Sequence, residues 1–125
     1  MHVSPNPSLT RSALPGILHA TLAGSKHGLQ GLSVWTQILE AGSATPPHRH
    51  DCEEVVLCSG GRGELRIGER SLPFGADSTV TIPRNALHQI VNVGVEPLRI
   101  VAIFSRSPVE AFFPDGQRID LPWAS

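Results

Sequence analysis

The sequence predicts an all-β protein, a small antiparallel double-sheet β-barrel, and three observations carry that expectation. Short runs rich in Val, Ile and Leu recur along most of the chain, and twelve glycines and eleven prolines punctuate them. No window sustains a 3.6-residue apolar period between two caps, so no helix is expected. A length of 125 residues with 40% hydrophobic content suits one core and one domain.

The elements follow in order. Residues 1–15, with three prolines and little periodicity, read as an irregular arm, and residues 16–125 as the single barrel domain. The strands expected are "LSVWTQIL", "EEVVLCS", "GELRIG", "RSLPFG", "STVTIP", "HQIVNV" and "PLRIVAIFS". Only Gly68 and Glu69 separate "ELRI" from "RSLPF". A Gly-X pair suits a two-residue hairpin turn with positive φ at the glycine. In "AFFPDGQRID", Pro114, Asp115 and Gly116 form a further turn.

Composition removes several function classes. Ten Lys+Arg stand against eleven Asp+Glu, scattered rather than clustered, so neither nucleic acid nor an anionic membrane surface is an expected partner. Prolines and polar residues interrupt the N-terminal stretch where a signal peptide needs an apolar run, and no segment is long enough to span a bilayer. A cytoplasmic protein is expected. Cys52 and Cys58 are too few for a secreted disulfide scaffold, and read as small buried apolar side chains.

The chemistry concentrates in "TPPHRHDCEEVVLCSGG", residues 45–61. In an extended chain, residues two apart share a face, so His48 and His50 offer their imidazoles together. Alternation through the next strand places Glu54, Val56 and Cys58 on one face and Glu53, Val55 and Leu57 on the other. One glutamate therefore faces the core, which is costly unless it is paired or bound to a cation. A third histidine, His88, opens an alternating strand with Ile90 and Asn92 on its face.

Together these segments resemble the cupin family. Gly42, His48, His50, Glu54 and Gly61 meet every spacing of the first cupin motif, which selects Glu54 over Glu53. Pro83, His88 and Asn92 fit the second motif. Two departures show: Gly75 precedes Pro83 by seven intervening residues rather than five, and Asn85 stands where the family has glycine. Asn tolerates the left-handed backbone such a turn wants. The displaced glycine implies a bulge or longer bend that alters the cavity rim without moving His88.

The resemblance implies a two-sheet barrel in which His48, His50, His88 and Glu54 hold one divalent transition metal ion, Fe, Mn, Ni, Cu or Zn, with coordination positions left open. It also implies a small-molecule substrate or ligand. Gln37 is a cavity candidate if it faces inward with Trp35 and Leu39; the opposite register, with Val34, Thr36 and Ile38 inward, satisfies alternation equally. Arg62, Arg66 and Arg99 are candidates for clamping a carboxylate. His19 and His27 fall outside both motifs and are expected at the surface. The absence of Tyr excludes any mechanism needing a tyrosine hydroxyl, which makes thiol-dioxygenase-like cupins a poor match.

Three functions fit. The first is a metal-dependent, dioxygenase-like enzyme for a small enolic, diketone or phenolic substrate, with Glu54 as catalytic base; cupin isomerases, decarboxylases and lyases use similar ligands. The alternatives are a non-catalytic small-molecule binding or sensor cupin, and a metal-stabilised structural domain. Apolar residues on both faces of the Glu54 strand also predict a homodimer through a sheet face.

Overall fold

Period-two alternation governs this chain, and in the computed structural model, which describes residues 2–125, it sorts the side chains of two antiparallel sheets into an inner and an outer set. The first sheet has six strands in the order β1-β2-β3-β9-β4-β7. They are β1 (Thr10–Arg11), β2 (Ile17–Ala23), β3 (Ser33–Leu39), β9 (Leu98–Phe104), β4 (Glu54–Gly60) and β7 (Ser78–Ile82). The second has the order β6-β5-β8, from β6 (Arg70–Gly75), β5 (Arg62–Ile67) and β8 (His88–Asn92). A short hairpin of β10 (Ala111–Phe112) and β11 (Arg118–Ile119) completes the framework.

The expected strands are present within a residue or two of their ends. Ile67 pairs with Arg70 across Gly68 and Glu69, and Gly68 has φ 58. The turn at 114–116 joins β10 to β11, with Gly116 at φ 89. Two elements went unread in the sequence. "ILHATLA" forms β2, and Thr10–Arg11 of the arm pairs with Leu18 and His19. A single 3-10 turn, Ser25–His27, is the only helical element among the described residues. No helix among them is long and apolar enough to cross a membrane.

The barrel interior is filled by inward-facing residues of both sheets. Leu39, Val56, Leu98 and Phe104 are at most 1% exposed, and burying each contributes roughly 1.5–3 kcal/mol. The outward residues of the large sheet are apolar too: Val34, Ile38, Val55, Val101 and Ile103 are half-buried and Leu57 is exposed.

Connections, rather than strands, carry the backbone strain. Asn85 has φ 63, the left-handed conformation expected of the glycine it replaces. The extra residues after Gly75 make a tight link in which Asp77 has φ 62, and β7 resumes at Ser78. At Gly61 the requirement is double. Its φ is 87, and a Cβ there would lie 2.5 Å from the Pro97 carbonyl oxygen. Gly61→Ala therefore combines left-handed strain with a backbone clash, and a loss of about 2 kcal/mol or more is expected from urea denaturation.

Candidate metal centre

The three motif histidines meet because a non-strand segment completes the small sheet. Residues 43–49 run antiparallel to β8, with the Thr45 amide donating to Ile90 at 2.9 Å and the Asn92 amide to Ser43 at 2.9 Å. His48 and His88 exchange both backbone bonds, at 3.0 and 2.8 Å, which sets their rings 4.3 Å apart. Arg49 then pairs with Phe112, and the chain crosses to the large sheet through His50, whose carbonyl accepts from the Asn85 amide at 2.8 Å. The tolerance of Asn85 for positive φ thus anchors the second motif against the first.

Proton positions on the imidazoles follow from their partners. His48 Nδ1 lies 2.6 Å from the Pro46 carbonyl, His50 Nδ1 2.7 Å from that of Glu110, and His88 Nδ1 2.9 Å from that of Ala86. A carbonyl can only accept, so each Nδ1 carries a proton and donates it. In the neutral rings each Nε2 then holds a lone pair. The three ligand atoms lie within 4.8 Å of one another. Glu54 Oε1 lies 3.4 Å from His88 Nε2 and 3.7 Å from His50 Nε2.

A positive charge fits this arrangement. Glu54 Oε1 and His88 Nε2 are buried without a hydrogen-bond partner, an expensive condition for a carboxylate facing lone pairs. A cation on the Nε2 atoms and Oε1 would remove both orphans, and histidines that give their other ring proton to a carbonyl match the pattern of metal-ligating histidines. Burial, reinforced by His88 and His50, lowers the His48 pKa to about 3, and burial lowers that of His50 also. Burial opposes the charge of Glu54, and positive charge at His88, His50 and His48 is what outweighs it and holds its pKa below the usual value. At neutral pH His48, His50 and Glu54 are therefore deprotonated donors.

His48, His50 and Glu54 open on a small cavity of about 40 Å³. Trp35, Phe104, Ile90 and Ile100 supply apolar wall, and Gln37 and Thr45 supply polar points. Gln37 takes the inward register, 6% exposed, with Trp35 and Leu39. Arg62, Arg66 and Arg99 do not join it. All three are exposed, because they occupy outward positions of their strands; Arg66 pairs with Glu64 at 2.9 Å, and the Arg99 stem lies over Gly60. Cys52 and Cys58 are buried and free. Burial raises the Cys52 pKa to about 11, which keeps it a thiol and a poor ligand.

Two groups escaped the sequence reading. His19 is not at the surface: it is 4% exposed, on the inner face of β2 beside Gln37. The alternation of Ile17 and His19 in "ILHATLA" was the available signal. Ile119, Leu121 and Trp123 close the cavity from the last residues of the chain. They too alternate with period two, but Pro122 obscures the run.

A double-sheet barrel with three histidines converging beside an inward glutamate defines a cupin. The chain matches the family described as Auxin binding protein over residues 3–122. It belongs to the auxin-binding protein family. It is 41% identical over 108 residues to auxin-binding protein 1 of Arabidopsis thaliana, covering 78% of this chain and 54% of that protein. Auxin-binding protein T85 of Nicotiana tabacum is 38% identical over 112 residues, with 80% and 60% covered. The chain thus spans little more than half the length of these curated relatives. Among solved structures, a cupin-superfamily sugar phosphate isomerase from Silicibacter pomeroyi shares 25% identity at TM-score 0.69, over 82% of this chain and 68% of that one. Oxalate decarboxylase from Lactobacillus farciminis shares the fold at 21% identity and TM-score 0.75, over 86% and 33%.

Elemental mass spectrometry on the purified protein should find about one equivalent of a divalent transition metal, lost in His48→Ala and in His88→Ala; retention in both variants would remove these residues from the ligand set. A pH dependence follows as well. The folded-state pKa values of His48 and His50 lie below their unfolded values, so the unfolded chain binds more protons as pH falls below about 6.5. Glu54 acts with the same sign at lower pH. Chelator-treated protein should therefore show a lower urea midpoint at pH 5 than at pH 7, with no recovery between.

Proposed function

We propose that this chain is a small-molecule binding cupin whose ligand is a small aromatic carboxylate of the auxin kind, taken up beside a divalent metal ion held by His48, His50, His88 and Glu54. The observation that carries this reading is the pairing of two unlike surfaces in one cavity: deprotonated donors at one side, and Trp35, Phe104, Ile100 and Trp123 at the other. An aromatic acid matches both. When bound, a divalent transition ion at these residues supplies Lewis-acid positions for a carboxylate. The chain does the rest: the indole and phenyl walls exclude water, and Thr45 and Gln37 are the uncharged polar groups that orient the guest.

Binding accounts for this site better than catalysis does. The relatives named above are auxin-binding proteins, and none of those names states a reaction. Among the described residues, a dioxygenase-like role for Glu54 finds no further acid or base in the cavity beside His48 and His50, since Arg62, Arg66 and Arg99 point outward. The reduced, buried Cys52 and Cys58 fit the cytoplasmic setting we propose.

The cavity as it stands has room for about three waters on the usual 10–15 Å³ each. A ring must therefore displace lining. Leu14, Leu121 and Trp123 are half-buried, while Trp35, Ile90 and Phe104 are not, so the entrance lies at the arm and the last residues. With the metal in place, indole-3-acetate and 1-naphthylacetate should quench tryptophan fluorescence saturably, and chelation or His88→Ala should abolish the effect. Equal quenching by chelated protein would overturn metal-assisted binding.

We further propose a homodimer through the outer face of the large sheet, where Val34, Ile38, Val55, Leu57, Val101 and Ile103 form an apolar surface. Light scattering at micromolar concentration should give twice the chain mass, and Val101→Arg should reduce it to the monomer.

A further inference from the structure

His19 is buried, touches none of the four candidate ligands, and has no part in the site described so far. It lies directly opposite Gln37 in the β2–β3 register. Its ring stacks on Trp123 at 3.8 Å and 10°, and stands edge-on to Trp35 at 5.2 Å. Both ring nitrogens are engaged: Nδ1 lies 3.0 Å from Gln37 Nε2, and Nε2 lies 2.8 Å from Thr21 Oγ1.

Donors and acceptors along this chain can be assigned without seeing a hydrogen. Thr21 Oγ1 lies 2.7 Å from the Ala124 carbonyl, which only accepts, so the single hydroxyl proton goes there. Thr21 oxygen must then accept from His19, which places a proton on Nε2. Burial lowers the His19 pKa to about 4, so at neutral pH the ring has one proton and no more. Nδ1 is bare, and it accepts from the Gln37 amide. The reverse rotamer, with the amide oxygen against Nδ1, would set two acceptors face to face and leave both unpaired.

We infer that His19 is the positioning residue of the ligand cavity: through Thr21 and the Ala124 carbonyl it holds the Gln37 amide in one rotamer, nitrogen toward β2, and it seats the Trp123 ring that closes the cavity. The amide oxygen and second N–H are then presented to the cavity in a preset arrangement, which spares the ligand the cost of ordering them. The inference deepens the binding function proposed above and rests on it for its effect on affinity. Its structural half stands alone.

Two measurements test it. The first is a long-range proton–nitrogen NMR correlation on protein loaded with one equivalent of Zn²⁺, which is diamagnetic. His19 should show a bare Nδ1 and a protonated Nε2; a protonated Nδ1 overturns the assignment whatever the ligand. The second is a double-mutant cycle read by indole-3-acetate affinity with zinc content measured alongside. His19→Phe, which keeps a ring on Trp123, and Gln37→Leu should each weaken binding about fivefold, the scale of one net hydrogen bond. The double variant should be no worse than either, with zinc retained throughout.

Multiplication of the two effects, to about 25-fold, would show that His19 acts other than through Gln37 and overturn the inference, as would an unchanged affinity in Gln37→Leu. Should His19→Phe fold poorly, Thr21→Val removes the Nε2 partner from outside the cavity, and should weaken binding in the wild type but not in Gln37→Leu. Failure of the wild type to bind indole-3-acetate would instead sink the ligand class, with the tautomer spectrum still deciding the role of His19.

Discussion

Each of His48, His50 and His88 gives its Nδ1 proton to a carbonyl of the main chain, and from those three bonds the character of the barrel follows. They fix the tautomer, turn the lone pairs inward, and place them against a buried carboxylate. Side chains could have done the same, but a carbonyl has no alternative protonation state and cannot donate. The acceptors that orient the rings therefore come from the backbone itself. The fold must deliver the carbonyls of Pro46, Ala86 and Glu110 from three separate stretches of chain, and it does so with a segment that adds to β8, a turn hinged on Asn85, and the connection that leads into β10.

The same bonds set the energetic problem of the interior. A carboxylate 5% exposed with an unpartnered oxygen is tolerable where a cation completes it, and costly where none does. A cation held there would be linked to folding, since the donor atoms are gathered only in the folded chain. The apolar framework around Leu39, Val56, Leu98 and Phe104 supplies the surplus against which that local cost is set. Asn92, fully buried, ties the end of β3 to the connection between β8 and β9: its amide donates to the Leu39 and Glu96 carbonyls and its oxygen accepts from Gly94.

Much of this was legible in the residues. The barrel could be read because its strands alternate cleanly between glycine and proline breaks, and the convergence of His48, His50 and Glu54 because the spacing of Gly42, His48, His50, Glu54 and Gly61 leaves little freedom. What stayed hidden had physical causes. The face of Gln37 was undecidable because Val34, Thr36 and Ile38 are as apolar as Trp35 and Leu39, a consequence of an outer sheet face that is apolar as well. The arginines misled because charge says nothing about register. β2 and the closing run Ile119, Leu121, Trp123 were passed over because a polar His19 and a Pro122 interrupt otherwise regular alternation. The Nδ1 partners could not have been found at all, since a carbonyl belongs to every residue alike.

That last point bears on how tolerance to substitution would map onto this protein. Pro46, Ala86 and Glu110 touch the histidines through atoms that no replacement of their side chains removes, so a saturation scan scored on ligand uptake would record these three positions as permissive while marking His48, His50 and His88 as intolerant. The scan would draw the centre as three isolated residues in an indifferent scaffold. Insertions and deletions would draw it differently. Adding or removing one residue between Pro46 and His48, or between Ala86 and His88, shifts a carbonyl off its ring while leaving every named ligand in place, and damage from such length changes is the trace by which the backbone half of the site would be seen.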